Sequence, residues 1–141
     1  MNSKLSYVFL GNILLFNVTG SAASLLLGPN LDKYSAVAGA ALSVAADSVV
    51  TDDLGAKAAI VIGASTQTKN IYSGAAVATG ALSKSENIFA IAAAGIAANA
   101  SARNIYAGAA AVLGASASAK NIYSGAAVSL GASSSSQDVY A

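Results

Sequence analysis

The chain has no cysteine, no histidine and no tryptophan among its 141 residues. Without thiols there are no disulfide staples, no thiolate nucleophiles and no zinc sites of the usual kind; without imidazole the commonest general base is missing. Charge is scarce as well. Charged residues make up 9% of the chain, against roughly 25% in an average soluble domain. Seven Lys plus Arg nearly cancel six Asp plus Glu, for a net charge of +1. That balance provides no field for nucleic acid, so a nucleic-acid partner is not expected. Aromatic residues are 6% although hydrophobic residues reach 55%, so the apolar count is mostly alanine. A mass of 13.6 kDa for this length requires a chain dominated by Ala, Ser and Gly. Such a composition cannot build an ordinary core of packed Leu, Ile and Phe, and the fold has to use narrow, repetitive packing in one small domain.

Residues 1–23 carry one cation, Lys4, then the apolar run from Leu5 to Phe16, then the small residues Thr19, Gly20, Ser21, Ala22 and Ala23. This is the pattern of an export signal, with cleavage expected after Ala23. The apolar run is too short to cross roughly 30 Å of hydrocarbon, so no stable membrane anchor is expected and the mature chain is secreted to the extracellular side or the cell surface. Residues 24–34 form a lead-in or cap.

What the remainder does have is a period. NIYSGAAVATGALSKSE begins at Asn70, NIFAIAAAGIAANASAR at Asn87, NIYAGAAAVLGASASAK at Asn104 and NIYSGAAVSLGASSSSQ at Asn121, with DVYA opening another copy at Asp138. The copies at Asn104 and Asn121 share 11 of 17 positions. Asp53 opens an earlier copy with Gly55 in place of the aromatic, and residues 35–52 fit with one extra residue. Seventeen residues cannot hold two helices and their turns. Each copy instead alternates apolar and small residues two apart between Gly and Ala-Ser clusters, which is strand periodicity broken by turns. The expected fold is therefore all-β: a parallel β-solenoid (β-helix) of about six coils over residues 35–141, starting near 35, 53, 70, 87, 104 and 121 with a partial coil at 138. Each coil contributes three short strands. The crossover rule makes it right-handed, and stacking at the strand spacing makes a rod about 29 Å long.

In a solenoid each repeat position becomes a ladder along the rod. Ile71, Ile88, Ile105, Ile122 and Val139 form one core column; Ile60, Val77, Ala94, Ala111 and Val128 a second; Ile62, Thr79, Ile96, Leu113 and Leu130 a third. Asn70, Asn87, Asn104 and Asn121, preceded by Asp53 and followed by Asp138, form a corner ladder, because stacked amides bond rung to rung and Asn tolerates unusual corner angles. Every aromatic after Tyr34 falls in one column: Tyr72, Phe89, Tyr106, Tyr123 and Tyr140. Next to the inward isoleucines, these rings point outward and stack, a candidate surface-binding stripe. A second candidate is a flat Ser/Thr face comprising Ser65, Thr66, Thr68, Ser83, Ser85, Ser116, Ser118, Ser133 and Ser135. Lys69, Glu86, Arg103, Lys120 and Gln137 close the coils and hold most of the array's charge along one edge.

No catalytic constellation is visible. Asp52 and Asp53 are adjacent and so point to opposite faces of a strand, the serines have no imidazole, and the glycines recur at the coil period and not in a phosphate loop. No enzyme activity, metal or cofactor is expected.

Residues 27–66, LGPNLDKYSAVAGAALSVAADSVVTDDLGAKAAIVIGAST, resemble the opening of the bacterial ice-binding-like proteins: a Leu-Gly step, a short aromatic-containing strand and a Val-Val-Thr-x-Asp-Leu-Gly turn. The repeated NIYSGAAVxLGA coils of residues 70–141 look like the Ala-rich solenoid segment of some secreted members. The resemblance implies a non-enzymatic antifreeze-type surface binder, with ice or a repetitive extracellular polymer as its partner. The long helix and irregular Thr-rich coils of that family are absent. A weaker resemblance is to the bactofilin-type solenoids, which are filament formers. The second expectation is accordingly structural: a spacer or filament unit that self-associates end to end through uncapped coils, or a chain that continues into further repeats.

Overall fold

Each copy supplies a long β-forming stretch around Asn-Ile-aromatic and a short one around Val or Leu, separated by Gly-Ala and Gly-Ala-Ser segments that cannot compete as strands. The computed structural model describes Ser6–Leu10, Ile13–Asn17 and residues 34–141. Ser6–Leu10 (β1) and Ile13–Asn17 (β2) pair antiparallel; the expected export segment and lead-in otherwise lie outside the described residues. From Tyr34 onward the strands alternate between two parallel sheets. Seven belong to the longer series, β3 (Tyr34–Ala38), β5 (Asp53–Ala56), β7 (Gln67–Ser73), β9 (Lys84–Ala90), β11 (Ser101–Ala107), β13 (Ser118–Ser124) and β15 (Ser135–Tyr140). Six belong to the shorter, β4 (Leu42–Val44), β6 (Ala59–Ile62), β8 (Ala76–Thr79), β10 (Ala93–Ile96), β12 (Ala110–Leu113) and β14 (Ala127–Leu130). Pairing is in register with the repeat, Ile88 on Ile105 on Ile122 and Ala94 on Ala111 on Val128. The chain is a parallel β-solenoid of about six coils.

Two of the three strands expected per coil run together as one. In β11 the inward residues are Ala102, Ile105 and Ala107, and the two residues between the first pair, Arg103 and Asn104, both turn away from the core. That break in alternation bends the strand at the Asn corner while the ladder continues on either side. The extra residue of the first coil lies between Val49, which bridges Gln67, and Asp53, which accepts a hydrogen bond from Asn70.

The sharpest turn holds one left-handed residue per coil, Asp47, Ser65, Leu82, Asn99, Ser116 and Ser133, with φ of 55–60°. The corner asparagines are not among them, so their role is the side-chain ladder alone. The exposed turn keeps its backbone satisfied: Ser65 N–H donates to Ala81 O at 2.8 Å and Ser116 N–H to Ala132 O at 2.9 Å, each in the following coil. Turns as well as strands are therefore laddered, which lets so small a core hold the chain.

That core is a narrow file. Ile71, Ile88, Ile105 and Ile122 are all fully buried, as are Ile60 and Ala111; Ile62, Ile96 and Leu113 are buried beside the second column, and Ala, Ser or Thr occupies the inward positions on either side of Ile71, Ile88 and Ile105. The core columns open at the last coil, where Leu130 and Val139 are 48% and 44% exposed and Val128 is half-buried. Among the described residues one buried side-chain atom has no hydrogen-bond partner, Thr79 Oγ1, which stands in the column of Ile62, Ile96 and Leu113. An unsatisfied buried hydroxyl is a net loss against a methyl of the same shape. Thr79→Val is therefore expected to raise stability by about 1 kcal/mol, read as a later midpoint in urea at unchanged slope. A lower midpoint would mean that the hydroxyl has a partner.

Candidate functional site

The aromatic column emerges as a continuous stack. Centroids are 4.9 Å apart for Tyr72 and Phe89, 4.8 Å for Phe89 and Tyr106, 4.9 Å for Tyr106 and Tyr123 and 4.9 Å for Tyr123 and Tyr140, with planes within 3–4° of parallel. The spacing is that of the strands, so the backbone holds the rings in place and each contact adds about 0.5–1.5 kcal/mol beyond area burial. Exposure grows along the rod, from half-buried Tyr72 and Phe89 to Tyr140 at 55%. Tyr34 closes the other end. It packs edge-on to Tyr72 at 6.1 Å and 71° and lies over Gly55, whose missing side chain leaves the place free. The glycine in the aromatic column signals that vacancy in the sequence; the residue that fills it lies outside the seventeen-residue register and was not foreseen.

Beside the rings runs an open groove of about 510 Å³ with Tyr106, Tyr123 and Tyr140 as one wall and Gly108 and Gly125 on its floor. The groove exists because its floor column is glycine there; one coil earlier the same column holds Ile91, 72% exposed.

Ionisation of two of the stacked tyrosines is opposed. The Tyr72 hydroxyl is raised above its ordinary pKa by burial, then by Asp53 and Tyr34, and that of Tyr123 by desolvation, then by Tyr106, Tyr140 and Asp138. A tyrosine whose folded pKa exceeds its unfolded value contributes stability that is present in full below pH about 10 and is lost as the pH rises past it. The melting temperature is therefore expected to fall above about pH 10, and less steeply in Tyr123→Phe, a ring already present in the stack as Phe89. Parallel profiles for the two proteins would show that the stack does not set the alkaline limit.

The Asn ladder forms as one hydrogen-bonded chain along the corner. Asn121 Nδ2 donates to Asn104 Oδ1 at 2.8 Å, Asn104 to Asn87 at 2.7 Å, Asn87 to Asn70 at 2.8 Å, and Asn70 to Asp53 Oδ1 at 2.8 Å.

The expected Ser/Thr face is not a face. Thr66, Thr68, Ser83 and Ser85 point inward and are buried, while Ser65, Ser116 and Ser133 occupy the left-handed turn, and Ser118 and Ser135 lie beyond it. These four buried hydroxyls are tolerated because each finds an oxygen, as Thr79 does not: Thr66 Oγ1 donates to Ala45 O at 3.0 Å, Ser83 Oγ to Gly80 O at 2.7 Å, and Thr68 and Ser85 share a bond of 2.8 Å. The columns continue as Ala100, Ala102, Ala117 and Ala119, equally buried. The flat outward surface belongs instead to the six-stranded sheet, where Val61, Ala78, Gly95, Val112 and Ser129 alternate with the buried core columns. This column carries no charge. The residues between Ile60 and Ile62, or between Ala111 and Leu113, mark it in the sequence by alternation alone.

Among the described residues no three acidic side chains gather as metal ligands, and no helix is long and apolar enough to cross a membrane. Asp53 is buried and bonded to Asn70, while Asp52, whose backbone N–H reaches Ser35 Oγ, is exposed. The fold and its ladders define the chain as a parallel β-solenoid with an outward aromatic stripe. Comparison with protein-family models, curated proteins and solved structures finds no match.

Proposed function

We propose that the chain is a secreted, non-enzymatic β-solenoid that binds a repetitive ligand, an ice lattice or a repetitive extracellular polymer, through an outward surface repeated at the strand spacing. The observation that carries this reading is the aromatic stripe: five rings held at 4.8–4.9 Å and within 4° of parallel. A rigid row of amphipathic rings is preorganised, so a periodic ligand meets many equivalent contacts without ordering the protein first. The groove beside Tyr106, Tyr123 and Tyr140 supplies depth, and the uncharged column from Val61 to Ser129 is the second surface of the same period.

The test compares the wild type with two double variants, Tyr106→Ser/Tyr123→Ser on the stripe and Ala78→Lys/Val112→Lys on the small-residue face, in ice-crystal shaping and in pelleting with insoluble polysaccharides. Loss in the first variant alone supports the stripe. Loss in the second alone moves the site to the small-residue face, and a wild type that neither shapes ice nor pellets overturns the reading.

A structural reading has its own observation. In the last coil the core columns surface, with Leu130, Val139 and Tyr140 at 48%, 44% and 55% exposure. Such an edge accepts a further coil, from this chain or from a second copy stacked head to tail. Electron microscopy across a concentration series distinguishes these: fibres that lengthen with concentration support assembly, and discrete rods at every concentration count against it.

A further inference from the structure

The Asn ladder has a defect that can be found by counting. Its rungs join Asp53, Asn70, Asn87, Asn104, Asn121 and Asp138, six side chains and five junctions. Each carboxamide turns its nitrogen to one neighbour and its oxygen to the other, and an ionised carboxylate only accepts. Four asparagines therefore supply four donors for five junctions, whichever way each amide is turned. One junction must lack a proton. All four nitrogens point toward Asp53, so the unmatched junction is the one between Asn121 and Asp138. There Asn121 Oδ1 faces Asp138 Oδ2 at 3.1 Å and the Lys120 carbonyl oxygen at 3.2 Å. Turning the Asn121 amide over would satisfy Asp138 but set its oxygen against Asn104 Oδ1 at 2.8 Å, moving the defect one rung down.

Two oxygens, one of them anionic, face Asn121 Oδ1 and repel it unless something positive lies among them; Ser136 Oγ donates to Lys120 O at 3.4 Å, which leaves the carboxylate contact unrelieved. We propose that this end of the ladder is a hard-cation site, with Asn121 Oδ1, Asp138 Oδ2 and Lys120 O as protein ligands, water completing the shell, and calcium as the ion. The donor set is all oxygen, as calcium requires, and oxygens about 2.4 Å from a shared ion sit about 3 Å or slightly more from one another, as Asn121 Oδ1 does from each of the other two. A single carboxylate on an exposed rung makes the site weak, in the range of extracellular oxygen-ligand sites, which extends to about 1 mM.

The variant that separates this from a simple rotated amide is Asp138→Asn, which supplies the fifth donor in the same shape. Thermal unfolding of the full chain is followed in chelator and in about 10 mM calcium, tenfold above the weakest such sites, with sodium chloride matching the ionic strength. Calcium is expected to raise the wild-type midpoint by about 4 °C or more. In chelator Asp138→Asn is expected to melt at or above the calcium-loaded wild type and to ignore calcium. An indifferent wild type overturns the cation, and an Asp138→Asn variant that still responds to calcium places the ion elsewhere. A variant that melts below the wild type in chelator overturns the missing donor itself.

Discussion

Truncating Ile105 to alanine is expected to cost about 3–4 kcal/mol. Ile105 is fully buried, between Ile88 and Ile122 above and below in register, so the vacated space cannot be filled from the same column. The inward columns on either side hold mostly Ala and Ser, and little large apolar area exists to offset the loss. Against a total stability of about 5–15 kcal/mol for a domain of this kind, the change removes a large fraction. Val139→Ala, at the end of the same column and 44% exposed, is expected to cost under about 1 kcal/mol. Urea unfolding of both variants checks the contrast. Equal losses would show that the isoleucine column is not the spine of the core.

Gly108→Ala is the second large effect, expected to cost about 3 kcal/mol through a steric conflict and not through lost burial. A Cβ at Gly108 would run into the carbonyl oxygen of Ile91 in the coil below, and one at Gly125 into that of Gly108. These are backbone atoms, and Ile91 carries its side chain in this column one coil below, so relief requires the backbone at Gly108 to shift to the path the chain takes at Ile91. Gly95 provides the control. It lies within β10 on the outward face, where an added Cβ comes no closer than 3.8 Å to Val77 O. Gly95→Ala is expected to stabilise by about 0.5 kcal/mol, because alanine loses less backbone freedom in a strand than glycine does. Thermal unfolding should place the two variants on opposite sides of the wild type; a Gly108→Ala variant that melts at or above the wild type would mean that close backbone approach does not limit the groove floor.

Those columns were legible in the sequence because a fixed period turns position into place. Asn104 and Asn121 share an offset and so a corner; Tyr106 and Tyr123 share one and so stack. The Ser/Thr columns were misread because polarity is a poor guide to direction when a small hydroxyl can reach a backbone oxygen. Thr66 and Ser83 do this from inside, and alanine replaces them at positions 100 and 117 without changing the packing. The reverse holds outside, where Val61, Leu82, Ile91 and Val112 are exposed although apolar. The left-handed turn was equally hard to see. Its six residues are Asp, Ser, Leu, Asn, Ser and Ser, with no glycine among them, and in five of the six turns, Asp47 to Ser116, a backbone hydrogen bond to the following coil holds the left-handed residue. The edge-on contact of Tyr34 depends on an irregular first coil, where β3 and β5 shift register between Tyr34 and Ala36.

The central claim is that the seventeen-residue coil is the unit of both structure and surface, and far-UV circular dichroism melting of two deletions tests it most directly. Removing residues 87–103 takes out one coil and brings Asn70 onto Asn104, Ile71 onto Ile105, Tyr72 onto Tyr106 and Gly74 onto Gly108. Stability in a stacked array is close to a sum over coils and their interfaces, so this variant is expected to keep one cooperative β transition at a lower midpoint. Removing residues 87–94, about half a coil, sets the later coils out of step with the earlier ones, so that Ile71 no longer meets Ile105 across the junction, and that variant is expected to show no single cooperative transition. If both deletions melt alike, the coil is not the unit, and the ladders described above do not hold the protein together.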